Sequence, residues 1–440
     1  MGLTKFSVRS QSLTPEPNEN KSAHQSGSVV SSAALVAGTT VGAGVLALPA
    51  VTYPVGVIPS TVLMVAAWLY MLASGLLVAE ANLRAMRVSG RADLGLLATI
   101  EQSLGKVGAI AAGILYIFIH YALLVAYVAR GGDILASALE AVEGGFGFAW
   151  PVPLWLGHVA FVILLGGILY AGTARLVERL NGALVALVIV AFGALLALTV
   201  SQVDPARFQV QHWEAVGLAV PVMFVAFVYQ NVVPVVTTQL EGDGRRVRRA
   251  IVLGSVVPLV MFALWNAVIL GNTTWGEGSV LGDGVDPIEL MRLGAGYSQL
   301  GVVVSVFSEF AIATSFIGFV FGLLNVFEDI FSGLGESVEA FKSYRRLLFY
   351  GLVLMPPLAL SVIDPNIFFE AIDIAGAYGN SILFGIIPAV MVWQLRYQKG
   401  GALTVPSADQ SFALVPGGRG LLVTMVGIAV AVIAQNVMLK

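Results

Sequence analysis

Two short stretches of the sequence combine helix-breaking residues with groups able to hold a small charged ligand. Residues 38–44 read GTTVGAG and precede Pro49, and in the second stretch Gln230 and Asn231 stand in an apolar run just before Pro234. Inside a helix glycine costs about 1 kcal/mol and proline about 3 kcal/mol relative to alanine, so we predict that both stretches interrupt a helix. A freed helix N-terminus suits a carboxylate, and freed carbonyls suit an ammonium group or a small cation. Together they could hold a zwitterion without a buried charged side chain.

Other kinds of chemistry find little support in the sequence. There is no cysteine, which excludes disulfides and thiolate catalysis, and the net charge of -3 indicates no nucleic-acid partner. The histidines show no i, i+3 or i, i+4 spacing, so we expect neither a metal nor a cofactor. The four are His24, His120, His158 and His212. An enzyme would need paired carboxylates, an activated serine or a metal set, and His120 with Glu309 is the only plausible pair.

The composition is that of a polytopic α-helical membrane protein. Hydrophobic residues make up 58% of the chain and charged residues 11%, against about 25% charged in soluble domains. The mean hydropathy is +0.88. Segments of about 20 apolar residues can cross the hydrocarbon core, and the sequence contains eleven. We number these spans 1 to 11: 29–53, 57–83, 107–130, 154–173, 177–201, 214–238, 250–271, 297–327, 346–362, 374–395 and 419–438. An amphipathic stretch at 93–104 is expected to lie along the interface.

Lysine and arginine fall mainly on one side of the predicted membrane. Of the 23 basic residues, 19 lie in the N-terminal tail and the even-numbered connections between spans. The four on the other side are Arg130, Arg207, Arg292 and Lys440. The positive-inside rule then places the N-terminus in the cytoplasm and, with eleven spans, the C-terminus outside. Residues 1–28 lack the apolar core of a secretory signal and are expected to form a disordered cytoplasmic tail.

The two interrupted spans hold matching places in the chain. Spans 1 and 6 each open a block of five helices, and because five is odd the second block is inverted relative to the first. Broken helices at corresponding places of inverted halves indicate a transporter binding site. We predict repeats at 29–205 and 206–396, followed by a cytoplasmic loop and eleventh helix at 397–440. The alternative is that the glycines serve close helix packing.

The two stretches resemble a known family. The sequences GTTVGAGVLALP in span 1 and PVMFVAFVYQNVVPVVTTQLEGD in span 6 are similar to the hydroxy/aromatic amino acid permeases, the bacterial tyrosine- and tryptophan-specific transporters. The resemblance covers nearly everything after the tail and implies a leucine-transporter-like fold of five-plus-five inverted repeats. Family members often have a histidine where this chain has Gln230.

The resemblance implies roles for individual residues. The segment 38–44 would be unwound, with N–H groups of span 1 binding the substrate carboxylate, while carbonyls of 224–231 bind the amino group and Phe227 covers the substrate. The predicted substrate-binding residues are Gly38, Thr39, Thr40, Gly42, Ala43, Gly44, His120, Phe224, Ala226, Phe227, Gln230 and Asn231. A sodium site would use Gly38, Val41, Ala311, Thr314 and Ser315. Alternatively, Thr314 and Ser315 bond back to the preceding helical turn.

Three ionisable residues within the spans are candidates for proton transfer, namely His120, Glu309 and Asp373. His120 lies between Tyr116 and Tyr121, where it could face a hydroxylated aromatic ring or serve packing. Glu80, near a cytoplasmic end, fits interface snorkelling or a gate salt bridge.

The sequence therefore predicts a secondary transporter in the cell inner membrane that imports an aromatic amino acid, tyrosine foremost. Import would be symport with a proton or sodium ion, by alternating access. The alternatives are a symporter for other neutral amino acids, an ion channel or a membrane-embedded enzyme. A channel would be expected to show a filter repeat or rings of charge, and neither is evident. The connection 272–296 is predicted to be either an external lid with a small helix or a solvated loop.

Overall fold

The computed structural model describes residues 27–42, 44–91, 93–145, 153–272, 298–332, 342–397 and 413–439, and these residues form helices without any strand. The predicted tail up to residue 26 and nearly all of the predicted lid at 272–296 lie outside the described residues. Ten helices are long and apolar enough to cross a membrane, and a bent helix pair makes an eleventh span. This confirms the predicted all-α class and the eleven spans.

The helices follow the predicted spans closely. They are α1 (Val29–Thr40), α2 (Gly44–Thr52), α3 (Val57–Ser89), α4 (Leu96–Gly145), α5 (Leu154–Ala171), α6 (Ala174–Thr199), α7 (Val216–Ala226), α8 (Val233–Gln239), α9 (Gly244–Asn272), α10 (Ser298–Ser332), α11 (Lys342–Ile363), α12 (Ile367–Ile374), α13 (Ile387–Tyr397) and α14 (Gly418–Leu439). Span 1 consists of α1 and α2, and span 6 of α7 and α8. Span 10 consists of α12, a π-helical stretch at Ala375–Ile386, and α13.

The amphipathic stretch is helical from Leu96 and joins span 3 at Gly105, where a φ of 74° kinks α4. Its apolar side chains Leu94 and Ile100 are buried within the protein. The amide of Asn82 on α3 donates to the Leu94 carbonyl at 2.8 Å and to Thr99 at 2.7 Å. The stretch is therefore tied to span 2.

Apolar side chains also cover the outside of the bundle. On α4, Val107, Ile110 and Ile114 are exposed at helical spacing. Such a stripe on the outer face suits hydrocarbon rather than water. Large buried aromatics, among them Trp265 and Phe161, fill the interior.

The packing joins each of the first four spans to the span five places later. Helix α2 packs on α7, α3 on α9, α4 on α10 and α5 on α11. Two five-helix blocks related by a two-fold axis would give such pairing. The repeat boundaries at 29–205 and 206–396 stay a prediction.

Candidate substrate-binding site

Span 1 is broken, but over fewer residues than predicted. Helix α1 ends at Thr40 and α2 begins at Gly44, with an angle of 55° between the two axes. The expectation of an unwound chain at Gly38, Thr39 and Thr40 is wrong, because all three are helical. The threonine hydroxyls donate to the carbonyls four residues earlier, each at 2.8 Å, which is compatible with a regular helix. The break itself lies at 41–43, and Ala43 is outside the described residues.

Span 6 is broken where the sequence predicts it. Helix α7 ends at Ala226, a single 3-10 turn covers Gln230–Val232, and α8 follows with Pro234 in its first turn. The chain at 227–229 is non-helical. The Phe227 N–H still donates to the Met223 carbonyl at 3.1 Å and the Val228 N–H to the Val225 carbonyl at 3.3 Å, so the helical pattern of N–H donors ends at Tyr229.

The side chain of Gln230 satisfies part of this broken backbone. Its Oε1 accepts from the Tyr229 N–H at 3.0 Å, and its Nε2 donates to the Met71 carbonyl at 3.1 Å and to Ser74 Oγ at 3.3 Å. Gln230 is fully buried. It therefore fastens the break in span 6 to span 2.

A cavity lies where the two breaks meet spans 3, 8 and 10. Its empty space, counted together with the solvent at its opening, is about 630 Å³. The lining residues are Thr39, Thr40, Gly42, Gly44, Tyr116, Ile119, His120, Leu123, Tyr127, Val225, Val228, Asn231, Ser315, Phe319, Asn380, Leu383 and Phe384. These residues belong to spans 1, 3, 6, 8 and 10.

Some of the predicted site residues line this cavity and others do not. Those lining it are Thr39, Thr40, Gly42, Gly44, His120, Asn231 and Ser315. Gly38, Val41, Phe224, Ala226, Phe227, Gln230, Ala311 and Thr314 are not among its lining residues.

Two of these side chains serve packing instead. The Phe224 ring stacks on Tyr70 with centroids 4.8 Å apart, and Phe227 packs on Phe262 at 5.3 Å. Both phenylalanines are almost completely buried. In this arrangement neither ring covers the cavity.

Ala226 matters through its backbone. A Cβ added at Gly44 would lie 3.1 Å from the Ala226 Cα, tighter than ordinary contact. The first residue of α2 therefore presses against the last residue of α7. This close approach brings the N-terminus of α2 to the point where span 6 unwinds.

An aromatic wall, formed by Tyr116, His120, Tyr127 and Phe319, closes one side of the cavity. The His120 ring stacks on Tyr116 with centroids 3.9 Å apart and meets Phe319 at 4.8 Å, and Tyr127 contacts Phe319 edge-on at 5.6 Å. His120 Nδ1 lies 2.8 Å from the Tyr116 carbonyl, which can only accept, so Nδ1 donates. In a neutral imidazole Nε2 is then an acceptor. A Cβ at Gly322 would lie 2.6 Å from Nε2, so only glycine leaves room there.

One predicted ion-site residue reaches the break in span 1. A Cβ added at Gly42 would lie 2.4 Å from Ser315 Oγ, so the hydroxyl faces the turn between α1 and α2. The Tyr127 hydroxyl is hydrogen-bonded with Ser315. Thr314 Oγ1 instead donates to the Ala311 carbonyl at 2.9 Å, within its own helix. The two neighbouring hydroxyls thus differ in what they contact.

Two amides in the cavity wall carry polar atoms that no described group satisfies. Asn231 Oδ1 and both Oδ1 and Nδ2 of Asn380 are buried without a hydrogen-bond partner among the described residues. Asn380, which is 1% exposed, is not among the site residues predicted from the sequence. The sequence does contain a pattern that could have predicted it, because Gly376 and Gly379 precede this polar residue in an apolar span. Span 1 shows the same combination of glycines and polar residues.

The other proton candidates lie away from this wall. Glu309 Oε2 is buried without a partner among the described residues, and Glu309 does not line the cavity. Asp373 accepts from Asn436 on α14 at 2.6 Å, so it contacts span 11. In the part of the chain that the structure describes, no cluster of histidine and carboxylate side chains could hold a metal ion.

Comparison with known proteins identifies the family. A family model described as the tryptophan/tyrosine permease family matches residues 25–435. The tryptophan-specific transport protein of Haemophilus influenzae is 30% identical, covering 83% of this chain and 87% of its own. The tyrosine-specific transport system 2 of the same organism is 28% identical, covering 91% and 95%. The glutamine transporter 2 of Aliivibrio fischeri is 25% identical, covering 83% and 88%. The family and these relatives are transporters rather than enzymes, and the chain belongs to the tryptophan/tyrosine permease family.

Proposed function

We propose that this protein is a secondary transporter that imports an aromatic amino acid, tyrosine foremost, by cation-coupled symport. The observation that carries the proposal is one cavity in which a helix break faces an aromatic wall. The two features match the two ends of an aromatic amino acid. The names of the relatives, which include tryptophan- and tyrosine-specific transporters, support the same substrate class.

In this proposal the amino acid head group lies at the breaks. Helix α2 starts at Gly44 in the cavity wall, and the partial positive charge of its N-terminus attracts the carboxylate, although the Val45 N–H already donates to the Gly42 carbonyl at 3.1 Å. The ammonium group lies at the unwound part of span 6, where Val225, Val228 and Asn231 line the cavity. The Oδ1 atom of Asn231, which lacks a partner among the described residues, accepts from it. The ring then lies along Tyr116, His120 and Phe319.

The coupled cation has two candidate places. Ser315 Oγ at the break of span 1 is suited to sodium, together with oxygens of Gly38, Val41, Ala311 and Thr314. Glu309 is suited to a proton, because a buried carboxylate with an unpartnered oxygen is less costly when neutral. His120 and Asp373 are the further proton candidates. In either case rocking of one helix bundle against the other would release the substrate inside.

The decisive experiment is uptake of labelled tyrosine into proteoliposomes under a sodium gradient or a proton gradient imposed separately. Sodium-driven uptake that Ser315→Ala lowers at least tenfold supports the sodium site. Ser308→Ala is the matched control, because Ser308 is a buried serine of the same helix that does not line the cavity. Proton-driven uptake that Glu309→Gln abolishes supports the proton route.

A panel of tyrosine, tryptophan, phenylalanine and glutamine tests the substrate class. We expect the aromatic amino acids to be transported and to compete with one another. Uptake of glutamine without uptake of any aromatic amino acid would overturn the proposal. Failure under both gradients, with folded protein, would overturn symport.

We also propose an inner-membrane location with the N-terminus in the cytoplasm, supported by the distribution of basic residues. The chain has no cysteine, so single cysteines can be labelled without background. Ser89 and Gln211 are exposed at opposite ends of the bundle in this topology. An impermeant thiol reagent added to cells should label Gln211→Cys and spare Ser89→Cys, and the reverse pattern would contradict the orientation.

A further inference from the structure

Asn380 is a buried polar side chain in the cavity wall that no described group satisfies. It is 1% exposed and lines the cavity, and neither its carbonyl oxygen nor its amide nitrogen has a hydrogen-bond partner among the described residues. A buried amide group left unsatisfied costs about 1–3 kcal/mol. Its neighbours in the wall include Leu383, Phe384 and Ile119, which offer no polar side chain to offset this.

The fold satisfies buried amides on two other helices, α3 and α9. Asn82 donates to a carbonyl and a hydroxyl, and its oxygen accepts from Thr237. Asn266 likewise donates to Ser60 at 2.9 Å and accepts from Thr52. Other amides, such as Asn181 and Asn436, lack a described partner for a buried oxygen alone, whereas Asn380 lacks one for both its oxygen and its nitrogen and faces a cavity.

The backbone around Asn380 is held rigidly. A Cβ at Gly376 would lie 1.9 Å from the Pro221 carbonyl oxygen, and one at Gly379 would lie 2.4 Å from Ile119. The π-helical stretch is thus packed closely against spans 6 and 3. Substrate groups would meet an amide whose position is set in advance, which is how specific sites reduce the ordering cost of binding.

The close contact of Gly379 with span 3, which carries most of the aromatic wall, favours a position for this amide near the ring of the substrate. Gly379 contacts Ile119, which adjoins His120 of the aromatic wall in sequence, and both line the cavity. The head group already has the α2 N-terminus and the span 6 break. The remaining polar atom of a tyrosine is its phenolic hydroxyl, and an amide can donate to a hydroxyl or accept from it.

We propose that Asn380 is the specificity-determining residue of this site, binding the hydroxyl of a phenolic amino acid. The inference rests on the proposed function and deepens it by ranking the substrates. An indole N–H can only donate, so it uses the amide oxygen alone. A phenyl ring uses neither atom. The order of affinity is therefore tyrosine, tryptophan, phenylalanine.

The test is a double-mutant cycle in which the Asn380 amide and the substrate hydroxyl are removed separately and together. Apparent affinities for tyrosine and phenylalanine are measured by competition in proteoliposomes, for the unaltered protein, Asn380→Leu and Asn231→Leu. We expect the unaltered protein to favour tyrosine by about tenfold or more, the equivalent of about one hydrogen bond. Asn380→Leu should remove that preference while leaving phenylalanine affinity within about twofold. Asn231→Leu, which alters the head-group end, should weaken both substrates alike.

Three outcomes would overturn the inference. Asn380→Leu could lower the affinities for tyrosine and phenylalanine equally, or change neither, while aromatic uptake persists. The proposed function would then stand, and the role of Asn380 in specificity would fall. The protein could transport only non-aromatic amino acids, and both proposals would fail together. If Asn380→Leu does not fold, Asn380→Ala replaces it, because alanine has no polar side-chain atom. An alanine variant with an unchanged tyrosine-to-phenylalanine ratio contradicts the proposal equally well.

Discussion

The fold treats the buried polar side chains of two regions of this molecule in opposite ways. In the first region, the polar cluster of Glu80, Asn82, Arg84, Thr237 and Arg396, the side chains are bonded to one another or to the backbone. The carboxylate of Glu80 accepts from Arg396 Nε at 2.8 Å, from Arg396 Nη2 at 2.5 Å and from the Leu414 N–H at 3.1 Å. Arg84 lies 3.4 Å from the same carboxylate.

The second region is the cavity, where Asn231 and Asn380 present buried atoms without partners among the described residues. The polar cluster has residues on spans 2, 6 and 10, and the two cavity amides are on spans 6 and 10. The span to which a residue belongs therefore does not decide whether its polar atoms are satisfied. The difference is consistent with a polar cluster that holds helices together, and with the proposal that the amides of the cavity bind a ligand. Glu80 thus forms a bridge between spans 2 and 10 rather than snorkelling to the interface.

The largest effect should follow from breaking the ion pair. Arg396→Leu leaves the fully buried Glu80 carboxylate without its bidentate partner, which costs about 3–5 kcal/mol in the free energy of unfolding. Unfolding of the purified protein with SDS in mild detergent micelles measures the change. The double variant Glu80→Met/Arg396→Leu should recover most of the loss, because it removes the stranded charge as well. A double variant no more stable than Arg396→Leu would contradict the assignment.

The next effect compares two asparagines directly. Asn82→Leu leaves Thr237, Thr99 and the Leu94 carbonyl without their partner and should lower the free energy of unfolding by about 1–3 kcal/mol. Asn380→Leu breaks no hydrogen bond of the fold and should leave stability unchanged or slightly raised. The same unfolding measurement without substrate compares them. Equal destabilisation by both changes would remove the distinction between the two regions.

Gln230 lies beside the cavity but bonds like a member of the polar cluster. Gln230→Met should cost about 1–2 kcal/mol of stability, because the Tyr229 N–H loses its acceptor and the packing volume is kept. The preference for tyrosine over phenylalanine, measured by competition, should not change. A shift in that preference similar to the one expected for Asn380→Leu would place Gln230 in the ligand-binding group.

The smallest effect belongs to Gly38, which lies outside both regions. A Cβ there would meet nothing within 4 Å, and the residue is inside α1. Gly38→Ala should therefore leave uptake unchanged and raise stability by about 1 kcal/mol or less through helix propensity. Gly44→Ala is the matched control, because its Cβ would press on the Ala226 backbone. Loss of uptake in Gly38→Ala would revive the prediction that this residue belongs to the unwound turn.

The sequence by itself determined the eleven spans and the two places where helices break. Both follow from local properties, since hydrocarbon requires long apolar helices and the glycines and Pro234 weaken helices wherever they stand. It also indicated a polar residue at the span 6 break and a histidine among aromatic residues. These features hold whichever way each helix is rotated.

Only the tertiary structure decided which side chains meet in the cavity. It turned Ser315 toward the break in span 1 while its neighbour Thr314 bonds within the helix. It packed Phe227 on Phe262 and brought Asn380 into the wall with no partner among the described residues. The physical reason is that a helical sequence sets the spacing of its faces, while the neighbour that each face meets is chosen by the packing of the whole bundle.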